Sequence, residues 1–250
     1  MSIQGLKHSL DATDRLVLVR VKIERAKKHL LDLETLLKQF RNERLNVVGS
    51  KGDFKAGHAT HFHVDLPILP FDALAAAGDI VHNLRSALDH LAYQLVVVGS
   101  GKEPSRRVEF PIARDHAAYE DGKAKKVEGM RPLAVKHIDN LQPYKGGNQL
   151  LWRIHELDNI DKHRTLFTVA HDYLFVADWL PMVGSPYWLK TDAPHFTGVF
   201  DLDVEKDVQL EIEEAFGRAK VAATDALLPS LRGLIKGTEE LVLSFKPLLE

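Results

Sequence analysis

The sequence predicts an α+β protein dominated by an α-helical bundle of about four long helices that carries a small antiparallel β-sheet. Three observations predict it. Stretches near both ends and in the middle repeat apolar residues at alternating spacings of four and three, the period of a helix that buries one stripe. The stretch 165–215 reads instead as short extended runs between turn formers. The composition, 45% hydrophobic and 27% charged, is that of a chain that folds, which argues against global disorder. We expect one domain over 1–250, with its bundle core from about 13–45, 72–98, 148–164 and 229–249 and a β-rich insertion at about 165–215.

The first helix keeps Leu16, Val19, Ile23, Ala26, Leu30, Leu33, Leu37 and Phe40 in step for more than three heptads, as in a bundle or coiled-coil seam. Gly49-Ser-Lys-Gly-Asp then breaks it, and His61-Phe-His-Val-Asp-Leu alternates as a short strand with His61 and His63 on one face. Such a pair can reach a metal, but a plain surface pair is the simpler reading. The second helix begins near Asp72 as a cap, carries Ala77, Val81, Leu84, Leu88, Leu91, Leu95 and Val98 on one stripe, and ends at Gly99-Ser-Gly. Val108-Glu-Phe-Pro-Ile is a short extended piece, the charged segment through Lys126 an exposed helix or flap, and 132–141 a further short helix.

In the stretch Asn148 to Arg164, Leu150, Leu151, Ile154 and Leu157 make the apolar face, and Asp158 and Asp161 project within it. Buried carboxylates cost several kcal/mol unless paired, so cations on a neighbouring helix are expected beside them, with Arg85, His82 and His90 as candidates. The alternative is that either aspartate caps a helix end or holds a loop. After Thr165 the runs Leu166-Phe-Thr-Val-Ala, Tyr173-Leu-Phe-Val-Ala, Gly198-Val-Phe-Asp-Leu and Val208-Gln-Leu-Glu-Ile-Glu read as antiparallel strands. The last helix repeats the spacing at Leu231, Leu234, Thr238, Leu241, Phe245 and Leu248.

The net charge of −2 does not mark a polyanion binder, but residues 1–45 hold ten Lys/Arg against six Asp/Glu, so a local basic surface is available to phosphate. With no cysteine, disulfides and thiolate metal sites are excluded. No apolar run suits a membrane span or signal peptide, and we expect a cytoplasmic protein that does not contact membranes. Phosphate-binding loops, a nucleophile elbow and a dinucleotide fingerprint are missing, which argues against nucleotide-dependent and serine-hydrolase chemistry. No cofactor is expected.

The candidate site lies on the polar side of the second helix. His82, Ser86, Asp89 and Tyr93 line its middle, with Arg85 on one edge and His90 on the other. His82-Asn-Leu-Arg-Ser-Ala-Leu-Asp-His-Leu, together with Asp161-Lys-His-Arg164, resembles a family of bacterial proteins that carry both stretches in this order, a likeness that brings no established activity. More distantly, Arg85 to His90 is similar to the R-x4-H motif of HEPN proteins, helical bundles that include metal-independent endoribonucleases. Here Ser86 follows Arg85, where Asn, Asp or His is common in those proteins. That resemblance implies a homodimer, RNA as partner, Arg85 on the scissile phosphate and His90 handling the proton of the ribose 2′-hydroxyl.

The residue types suit such a reaction, because internal attack by a 2′-oxygen needs a base titrating near neutrality and a cation beside the phosphate, and needs no metal. Ser86 is placed to orient His90, and the aspartates to fix Arg85. Lys162, His163 and Arg164 complete the supporting set with His82, Asp89, Tyr93, Asp158 and Asp161. Two other readings stand beside it. In one, the polar residues are the structural network of a non-enzymatic binding or assembly protein. In the other, His82, His90, Asp158, Asp161 and His163 serve a metal-dependent hydrolase, although no signature such as H-E-x-x-H is present.

Overall fold

The structure, a computed structural model, describes residues 10–40, 70–162 and 227–250, with helical backbone continuing to Asn42 and His163. Helix α1 spans Ala12–Asn42, α2 Phe71–Ser100, α3 His116–Lys126, α4 Pro132–Asn140, α5 Gln149–His163 and α6 Leu227–Ser244, followed by a 3-10 turn at Lys246–Leu248. Helix accounts for 77% of the described residues, and among them there is no strand or sheet. The α+β expectation is therefore corrected to a helical class. The runs read as strands at 61–66 and 165–215 lie outside the described residues.

The four long helices form close to their expected bounds, and their seams explain why. Along α1, Leu16, Val19, Ile23, Ala26, Leu33, Leu37 and Phe40 are all buried, and α1 packs along α2 and against α6. Along α2 the seam from Ala77 to Leu95 is buried, and so are Ile80, Ala87 and Ala92 beside it. The apolar belt is wide because α2 packs on three helices, α1, α5 and α6. It is the central element of the core.

Caps agree in part with the sequence. Asp11 accepts from the Asp14 N–H at 2.8 Å and so closes the start of α1. At α2 the cap position is Pro70, and Asp72 lies in the first turn, where its charge complements the helix dipole. Gly101 ends α2 in the left-handed conformation, φ 67°, and returns its N–H to the Val97 carbonyl at 2.9 Å.

The connection after α2 matters most for the site. Phe110 is fully buried, edge-on to Phe245 with ring centroids 6.1 Å apart, and so draws 108–112 across the bundle. The charged segment expected to be a helix or flap is α3, whose N-cap Asp115 accepts from the Ala118 N–H at 2.7 Å. Tyr119 of α3 donates to Asp139 of α4 at 2.7 Å. Among the described residues no helix is long and apolar enough to cross a membrane.

Candidate functional site

Polar residues of α2 meet α5 through His82 and Asp158 and the 108–112 segment through Arg85 and Asp89, while Glu109 of that segment meets α3 at Lys126. These contacts have two parts, one centred on Arg85 and one on Asp158.

Arg85 leaves the helix on the edge of the apolar seam, which is why its side chain is drawn inward and only 5% of the residue stays exposed. Its Nη2 donates to Asp89 Oδ1, one turn on, at 2.9 Å, and to the Phe110 carbonyl at 3.0 Å. Asp89 Oδ1 also accepts the Phe110 N–H at 3.0 Å. The two side chains thereby satisfy both backbone groups of a residue that no regular structure serves. Glu109 Oε2 lies 3.7 Å from the guanidinium, and its other oxygen meets Lys126 of α3 at 2.7 Å.

Electrostatics follow from these contacts. Burial pushes the Asp89 carboxyl above its ordinary value, and the Arg85 charge and the Phe110 hydrogen bond recover only part of the shift. Burial acts the same way on Glu109, but the hydrogen bond and charge of Lys126, with the charge of Arg85, outweigh it and hold that carboxyl low. His155 of α5 is pushed down to about 4 by burial and by the nearby charges of Arg85 and Lys126. It is therefore a neutral imidazole at pH 7. The Asn159 amide nitrogen lies 3.1 Å from its Nε2, an arrangement that puts the ring proton on Nδ1.

In the second part, Asp158 is buried and accepts from His82 Nδ1 at 3.1 Å and from Lys162 Nζ at 2.6 Å, so each oxygen has a cation or ring N–H. Asp161, one turn beyond, lies against Gly78 of α2. A Cβ at Gly78 would overlap the Asp161 carboxylate, so a larger residue there requires that side chain to shift. Burial and the neighbouring charges of Asp158 and Asp79 raise the Asp161 carboxyl.

The expected buried and paired carboxylate is found at Asp158, which of the candidate cations His82 meets, whereas Asp161 is half-buried against Gly78 with no ion pair among the described residues. Arg85 is held instead by Asp89, Glu109 and Phe110. His90 is exposed, Ser86 half-buried with no hydrogen bond to it, and Tyr93 half-buried. Positions five apart on a helix are separated by about 140°, so Arg85 turns into the bundle and His90 turns out of it. Lys162 is exposed apart from its ion pair, while Arg164 and the side chain of His163 lie outside the described residues. No group of three or more metal-ligating side chains gathers among the described residues.

Sequence reasoning missed Gly78, Glu109, Lys126 and His155. The last carried a signal, since His155 and Asp158 are three apart on one helix. The others make contacts that only the fold brings together. No family model matches the chain, and no curated protein or solved structure is significantly similar to it.

Proposed function

We infer that the chain is a non-enzymatic binding or assembly protein whose polar layer is architectural, fastening the 108–112 segment and α5 to α2. The observation that carries this reading is the division of the Arg85 and His90 pair. Arg85 is buried among Asp89, Glu109 and the Phe110 carbonyl, while His90 stands in solvent. A cation compensated by two carboxylates offers a phosphate little charge, and transition-state stabilisation depends on donors aimed at the reacting group. Urea unfolding tests it. Arg85→Met is expected to lower the unfolding free energy by about 2–3 kcal/mol, because it leaves the half-buried Asp89 carboxylate without its cation and the Phe110 carbonyl without its donor, whereas His90→Ala stays within about 0.5 kcal/mol of wild type. Equal, negligible effects would count against an architectural role for Arg85.

A second reading, the metal-independent endoribonuclease, is favoured by one observation. Among the described residues Arg85 Nη1 is buried without a hydrogen-bond partner, a spare donor on the residue that the HEPN resemblance assigns to phosphate. In this reading Nη1 meets the scissile phosphate only once it is uncovered, and the 2′-hydroxyl proton is taken by His90 of a second copy as the 5′-oxygen leaves, because one chain turns Arg85 inward and His90 outward. Cleavage of RNA in excess EDTA, leaving 2′,3′-cyclic phosphate ends, would support it.

A further inference from the structure

The outer face of α1, with its cap Asp11, carries a second heptad stripe that the described helices leave uncovered. Asp11, Asp14, Leu18, Val21, Arg25 and Lys28 follow one another at spacings of three and four, and all are exposed, Leu18 by 44% and Val21 by 57%. This stripe lies on the far side of α1 from the seam that packs on α2. Its order is acidic, apolar, basic. Arg25 and Lys28 make no ion pair among the described residues, whereas neighbouring Arg20 and Lys27 are engaged with Glu239 of α6 at 2.7 and 2.9 Å.

Such an order is self-complementary when reversed. We propose that this face binds a second copy of the chain, α1 against α1 in antiparallel orientation about a two-fold axis. In the register that sets Leu18 opposite Val21 of the partner copy, Asp14 falls opposite Arg25 and Asp11 opposite Lys28. Each pairing occurs twice by symmetry. The apolar pairs occupy the centre and the charge pairs flank it, the arrangement that fixes register and orientation in antiparallel helix pairs. A parallel pair would set acid against acid and base against base. The interface stands apart from the function proposed above, and it does not bring the Arg85 and His90 motifs face to face, because α2 lies on the other side of α1. One helix pair is a small interface, so the dimer is a weak one, and it weakens as salt screens the flanking pairs.

Sedimentation velocity of the full chain over a concentration series tests the proposal by charge exchange. Asp14→Lys and Arg25→Asp are each expected to weaken self-association about tenfold, since each sets two like-charge contacts against each other. An equimolar mixture of the two variants is expected to regain wild-type association, because a mixed pair has opposite charges at both contacts. Lys28→Glu, away from the helix start, gives another single reversal that should weaken the dimer if Asp14→Lys disturbs folding. A wild type that stays monomeric through about 1 mM overturns the proposal. So does a dimer indifferent to these reversals, or a mixture that associates no better than its components.

Discussion

Arg85 and Asp89, one turn apart on α2, grip the same residue. Arg85 donates to the carbonyl of Phe110 at 3.0 Å, Asp89 accepts its N–H at 3.0 Å, and the two side chains meet at 2.9 Å. The ion pair is thus also a bracket for the segment that inserts the Phe110 ring into the core. Removing either partner is expected to release that bracket, so the losses from Arg85→Met and Asp89→Ala should not add. A double-mutant cycle measured by urea unfolding is expected to give a coupling of about 1–2 kcal/mol. Additive losses would mean that the two act independently.

His155 gives the bundle an acid-sensitive element. Its folded value of about 4 lies below the ordinary 6.5, so between these values the unfolded chain binds the proton that the folded chain refuses. Its contribution to stability is therefore present above about pH 6.5 and is lost as pH falls toward 4. Discounted for partial exposure, the difference is about 1–2 kcal/mol. Asp89 and Asp161, raised by burial, act with the opposite sign, favouring the fold as they protonate. His155→Gln isolates the histidine and should flatten the pH dependence of unfolding between about 4 and 6.5 relative to wild type. An unchanged slope would place His155 in solvent.

Gly78 of α2 lies against the Asp161 carboxylate of α5, and the two positions should be coupled. Gly78→Ala gains helix propensity but displaces the carboxylate, with a net expected loss of about 1–2 kcal/mol. Asp161→Ala in the same chain vacates that space and removes a carboxylate that burial disfavours, so the double variant should be at least as stable as wild type. Thermal unfolding of the three variants checks this, and a double variant no better than Gly78→Ala alone would contradict it.

The long helices were legible because each buries a stripe, and a stripe leaves its period in the chain. Leu16 to Phe40 and Ala77 to Leu95 announce their helices within a few residues. Asp158 was legible for the converse reason, a carboxylate where the period demands an apolar residue. Its match to His82 was among the pairings the wheel allowed. Arg85 shows where that reasoning stops. The wheel puts it on the edge of the seam, and what decides its environment is Glu109 and Phe110, held there by a connection with no periodicity. The Gly78 contact was invisible for the same reason, since a glycine inside a helix gives no sign of what lies against it.

In the function we propose, Arg85 serves the fold rather than a reaction. Incubating the full chain with a broad RNA pool in excess EDTA, and reading the product ends, tests it most directly. The expected result is no cleavage above that of a buffer control, from wild type and variants alike. Cleavage by wild type that leaves 2′,3′-cyclic phosphate ends and disappears in folded Arg85→Lys and His90→Ala variants would contradict it and establish the ribonuclease.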